Sequence, residues 1–118
     1  MRILPLLSLL AASPAAAHAI LIDSTPAPLG HVTAGPLAIV LRYNSRIDAG
    51  RCKIVLRHDG TETRLTQAAA PGPDVLRADI TVSPGDYEIA WQVLATDGHV
   101  TRGRVPFTVE APVSAGAK

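Results

Sequence analysis

Apolar and polar side chains alternate with a period of two along several short stretches of this chain, and turn residues close each stretch. Alternation of this kind puts every second side chain on one face of an extended strand, so it excludes helices and demands a partner sheet to cover the apolar face. Leu37, Ile39, Leu41 and Tyr43 share one face of a strand, with Ala38, Val40 and Arg42 on the other. Cys52, Ile54 and Leu56 oppose Arg51, Lys53 and Arg57, and Tyr87, Ile89, Trp91 and Val93 oppose Glu88, Ala90 and Gln92. Asp59-Gly60 is a hairpin turn, with Thr61–Thr66 as the polar return strand. Further strands are expected over His18–Asp23, Val75–Val82 and His99–Val109, the last with Val105, Phe107 and Val109 on one face. Ser24–Gly30 and Gln67–Asp74 are rich in Pro, Ala and Gly and read as loops, and Ser83 to Asp86 is a turn.

About seven strands with no ten-residue stretch of helical period imply an all-β fold, an antiparallel β-sandwich of immunoglobulin-like, Greek-key type. There is one cysteine, Cys52, so no disulfide can form within the chain. The apolar core alone must hold the sheets together, and Cys52, on the inward face, is expected to serve as a small core residue. Trp91 and Phe107 are expected as core anchors.

The N-terminus reads as an export signal. Arg2 supplies a positive charge, Ile3–Leu10 is apolar, and Ala15, Ala16 and Ala17 satisfy the small-x-small rule for cleavage. The alternative is a retained anchor, because the apolar run from Ile3 to Ile22 approaches the length of a membrane span. Pro5 and Pro14 interrupt that run and its second half is mostly alanine, which favours cleavage. The expected organisation is a signal peptide over 1–17, one domain over 18–110 and a small-residue disordered tail over 111–118. The processed chain keeps ten Lys and Arg against ten Asp and Glu, since Arg2 leaves with the signal. A net charge near zero, with one Trp, one Phe and two Tyr in all, gives nucleic acid little to bind.

Cleavage after Ala17 makes His18 the first residue, with a free α-amine and an imidazole that can chelate one transition metal. Asp97 and His99, two apart at the entry to the last strand, are expected to project on the same side. Three nitrogens and one carboxylate oxygen form the donor set that a tetragonal Cu(II) ion prefers. The plainer reading of Asp97-Gly98 is a hairpin turn beside an incidental histidine. His31 and His58 are expected to be solvated. No Ser-His-Asp order or paired carboxylates appear, so hydrolytic chemistry has no foothold.

The chain resembles the CopC family of periplasmic copper-resistance proteins. The resemblance lies in His18-Ala19, Ser24-Thr25-Pro26-Ala27, Leu41 to Ile47, and Pro84-Gly85-Asp86-Tyr87. It continues through Trp91, Asp97-Gly98-His99, Gly103 and Phe107-Thr108-Val109, so it spans the processed chain. It implies a monomeric periplasmic β-sandwich that binds one Cu(II) through His18, Asp97 and His99, and that acts as a binding protein, not an enzyme. It also implies copper transfer to an inner-membrane copper permease of the CopD type. Some members carry a methionine-rich Cu(I) site; the one methionine here is Met1, so soft thioether ligands are missing after cleavage. Two other functions remain open at this point: a copper oxygenase built on the N-terminal histidine, and a structural sandwich without metal.

Overall fold

The computed structural model describes residues 18–113. The expected signal peptide over 1–17 and the last five residues of the expected tail lie outside the described residues; Ala111 to Val113 are exposed and irregular. Eight strands form two sheets: β1 (Leu21–Thr25), β2 (Gly30–Thr33), β3 (Gly35–Tyr43), β4 (Lys53–His58), β5 (Thr61–Arg64), β6 (Val75–Val82), β7 (Gly85–Leu94) and β8 (Val100–Glu110). One sheet has the order β1-β3-β6 and the other β2-β8-β7-β4-β5. The architecture is therefore the all-β sandwich that the alternation implies.

The inward faces match the alternation. Ile39, Leu41 and Tyr43 from β3 meet Ile54 from β4, Ile89, Trp91 and Val93 from β7, and Val105, Phe107 and Val109 from β8, all buried. Each such aliphatic side chain contributes about 1.5–3 kcal/mol when fully buried, which suits a fold without a disulfide. The Asp59-Gly60 turn has positive φ at both positions, 52° and 74°, the backbone that twists a two-residue hairpin the right way. Trp91 lies over Gly103 of the neighbouring strand: a Cβ there would stand 2.2 Å from the indole Cζ2, so the ring occupies the space a side chain would fill. In the loop between β5 and β6, the Ala68 N–H donates to the Arg77 carbonyl (2.7 Å) along the outer side of β6.

Two findings modify the strand count. β2 is an additional strand, paired parallel with β8 from Gly30↔Phe107 to Thr33↔Glu110. It is four residues long with only Gly30 and Val32 half-buried, so it carries no alternation long enough to read. The first strand also starts later than expected, at Leu21, because residues 18–20 do not join the sheet.

Candidate metal centre

The lead-in to β1 is pinned at two points. Ala19 is fully buried in the core, and Ile20 is held by Asn44 from both sides of its peptide backbone. The Ile20 N–H donates to Asn44 Oδ1 (2.8 Å), and the Asn44 N–H donates to the Ile20 carbonyl (2.9 Å). These contacts bring His18 out at one end of the sandwich, with its side chain exposed.

His99 is set by the turn that joins β7 to β8. The Ala95 N–H donates to the His99 carbonyl (2.9 Å) and the Gly98 N–H to the Ala95 carbonyl (2.8 Å). Gly98 sits at φ 96°, in the region that glycine adopts without steric cost, and this lets the chain fold back between Asp97 and His99. Asp97 and His99 lie in this turn and not on the strand, so strand alternation is not what brings them together. Asp97 Oδ1 accepts the His99 backbone N–H (3.1 Å), and Oδ2 lies 2.8 Å from His99 Nδ1. These bonds, the backbone one first, hold the Asp97 carboxyl below the usual carboxylate range. With Nδ1 occupied, His99 keeps Nε2 for another partner, the arrangement in which a carboxylate orients a metal-ligating imidazole.

The rings of His18 and His99, 81 positions apart in sequence, lie edge to face with centroids 5.2 Å apart. Asp97 is gathered to this pair through His99. Among the described residues no group of three or more His, Cys, Asp or Glu side chains is arranged to hold a metal ion.

The remaining candidates sit elsewhere. His31 is exposed on β2, with Nδ1 2.6 Å from Glu110 Oε2. His58 is half-buried, less open to solvent than its hairpin position suggested. It stacks on Tyr87 at 4.0 Å, with Nδ1 2.9 Å from the Asp86 carbonyl, because the alternation of Cys52, Ile54 and Leu56 continues to it. Cys52 is buried; its thiol donates to the Asp48 carbonyl (3.1 Å) and its sulfur accepts the Leu94 N–H (3.3 Å). Burial pushes that thiol above its ordinary pKa, which suits a core residue and not a ligand or nucleophile.

The described residues thus form a small two-sheet β-sandwich that presents two histidines and an aspartate at one end. The match to the CopC domain covers residues 21–110, and the chain belongs to that family. It is 32% identical over 100 residues to Protein YobA of Escherichia coli K12 and to that of Shigella flexneri, covering 80% of either chain. The fold is shared with CopC from Methylosinus trichosporium OB3b (TM-score 0.72, 24% identity, 82% of this chain and 98% of that one). It is also shared with PcoC, a methionine-rich copper resistance protein from Escherichia coli (TM-score 0.61, 23% identity, 80% and 100%).

Proposed function

We propose that this chain is an exported copper-resistance protein that binds one Cu(II) at the tip of its sandwich and buffers or delivers it in the periplasm. The observation that carries the reading is the meeting of the His18 and His99 rings at 5.2 Å, with Asp97 bonded to His99. Cleavage after Ala17 gives His18 an amine beside its ring nitrogen, and these two donors close a chelate on one ion. His99 adds the third nitrogen through Nε2, and Asp97 the carboxylate. Binding then asks Asp97 to turn one oxygen from His99 towards the ion, a small torsional change at an exposed side chain. Cu(II) leads the divalent series for such donors, and the amine must lose a proton to bind, so occupancy falls as the medium acidifies.

Storage or transfer is favoured over turnover by where the aromatic side chains are. Tyr43, Tyr87, Trp91 and Phe107 are all buried, so no aromatic surface flanks the two histidines for a polymeric substrate. Copper held here is cargo, and a CopD-type permease is the recipient that the family suggests.

The test is a competition titration against a chromophoric chelator, with intact mass giving stoichiometry. The chain that begins at His18 takes up one Cu(II). One residue added before His18 removes the amine donor and most of the preference for Cu(II) over Ni(II) and Zn(II). His99→Ala loses most of the affinity, and Asp97→Asn loses less because an amide oxygen remains. Parent-like affinity in the extended chain and in both variants overturns the assignment.

A further inference from the structure

Positive charge gathers over part of the outer face of the five-stranded sheet. Inward burial of Cys52, Ile54, Ile89, Trp91, Val93 and Val105 sends their neighbours in sequence to the outer face of the five-stranded sheet. Register aligns these neighbours in rows across the strands. In one row Arg102 lies opposite Gln92, and Gln92 opposite Lys53. In the next, Arg104 lies opposite Ala90, Ala90 opposite Val55, and Val55 opposite Arg64. In the third, Glu88 lies opposite Arg57, and Arg57 opposite Glu62.

These three rows therefore hold five of the nine Lys and Arg of residues 18–113 and two of their ten Asp and Glu, while Asp86 and Glu110 lie further along the same face. The two carboxylates in the rows are already committed: Arg57 reaches Glu62 at 2.7 Å and Glu88 at 3.0 Å, and Arg104 reaches Glu88 at 3.8 Å. Arg102 has only the neutral Gln92 oxygen (2.8 Å), and Lys53 and Arg64 have no ion pair among the described residues. Between these side chains is a recess of about 480 Å³ with Val55, Ala90 and Gly103 in its lining.

We propose that this recess docks an acidic, extended segment of a partner protein. The inference does not depend on the metal reading. Like charges gathered on one face without counterions repel one another, and an incoming polyanion relieves that cost. Lys53 and Arg102 stand two strands apart, about 10 Å at the usual inter-strand spacing. Carboxylates spaced along an extended peptide match cations set at that backbone separation. The recess is concave with a small apolar floor, which accepts an inserted chain better than it meets a flat bilayer surface.

The probe is an acetylated ten-residue peptide of alternating glutamate and alanine, titrated into the protein while backbone amide NMR signals are followed at 50 mM and 300 mM salt. Binding at low salt should shift amides in Lys53–Arg57, Glu88–Gln92 and Arg102–Arg104, and weaken at high salt. Lys53→Ser with Arg102→Ser should bind about tenfold more weakly. Arg42→Ser with Arg51→Ser, which removes the same charge from other surfaces, should stay within about twofold of the parent. Each of these exposed substitutions leaves the core untouched, and copper uptake by intact mass is measured on the same samples so that the two readings fail separately. The proposal is overturned by no binding at 50 mM salt, by equal loss in both double variants, or by shifts centred on β1, β3 and β6. It is also overturned if citrate binds the same amides as tightly as the peptide. Binding of phosphatidylglycerol vesicles through these residues in the absence of peptide binding overturns it in favour of a membrane surface.

Discussion

Replacing Asn44 with alanine should weaken copper binding while leaving the sandwich intact. The Asn44 side chain holds the Ile20 N–H at 2.8 Å, one of three restraints that bring His18 to His99. The second is the backbone bond from Asn44 to the Ile20 carbonyl, and the third is the burial of Ala19. Two hydrogen bonds at about 1 kcal/mol each and one buried methyl at about 0.8 give a hold of about 3 kcal/mol. Ordering residues 18–20 costs about 1 kcal/mol per residue in backbone entropy, so gain and cost nearly cancel. Near that balance, loss of about 1 kcal/mol lowers the docked population from about one half to about one sixth, and apparent affinity falls about threefold, with fivefold as the upper limit. Competition against a chromophoric chelator reads the affinity, and thermal unfolding reads the fold. The midpoint should move by less than about 3 °C, because the lost bond lies in a segment already near its own opening equilibrium. Asn44→Asp keeps an acceptor oxygen in place and should bind copper at least as well as the parent. Parent-like affinity in Asn44→Ala would refute the pinning argument, and so would a fall in midpoint beyond about 8 °C, which would make Asn44 a support of the whole fold.

Gly103→Ala should destabilise the domain by at least about 2 kcal/mol, lowering the unfolding midpoint by about 10 °C, because its methyl must displace the buried Trp91 ring. Combining it with Trp91→Phe should recover part of that loss, since the indole atoms nearest the new methyl are gone. Cys52 should resist iodoacetamide in the folded protein at pH 8 and react on unfolding; rapid reaction in the folded state would contradict its burial. Stability should also fall as pH rises above 9.0, the ordinary thiol value, and more steeply above 10.0, the ordinary phenol value. Burial raises the pKa of both Cys52 and Tyr43, so there the folded state retains protons that the unfolded chain has lost. Cys52→Ala should remove the first of these two losses in an alkaline denaturation series.

The strands β3, β6 and β7 were legible because each is long enough to show its alternation, and β6 falls on Val75–Val82 as its sequence implies. β2 was not: Gly30–Thr33 is fixed by hydrogen bonding to a strand more than seventy residues away, and nothing in four residues announces that. His58 carried a usable signal, since it continues the inward series from Cys52 through Leu56, but its place beside a hairpin turn suggests solvent instead. At the site, the pairing of Asp97 with His99 follows from two residues separated by a glycine, although a turn delivers it and not a strand. The approach of His18 to His99 depends on the Asn44 clamp and the burial of Ala19. Neither is visible in a linear pattern, because each is a tertiary contact between residues of ordinary type.

The bridge from Ala68 to Arg77 has a consequence for how this protein avoids self-association. β6 is the long outer strand of the three-stranded sheet, and its free side could template a strand from another molecule. The Ala68 N–H takes the Arg77 carbonyl, which faces outward on that side. Next along this exposed side is Asp79, whose carboxylate lies 2.8 Å from the Arg77 guanidinium. One backbone group is thus capped by the loop and the next position carries a charge that an incoming strand would have to desolvate. The alanine- and proline-rich loop that looks like a mere connection thus covers part of this edge, and shortening it should expose a strand with cross-β potential while the buried strand residues of the core stay in place.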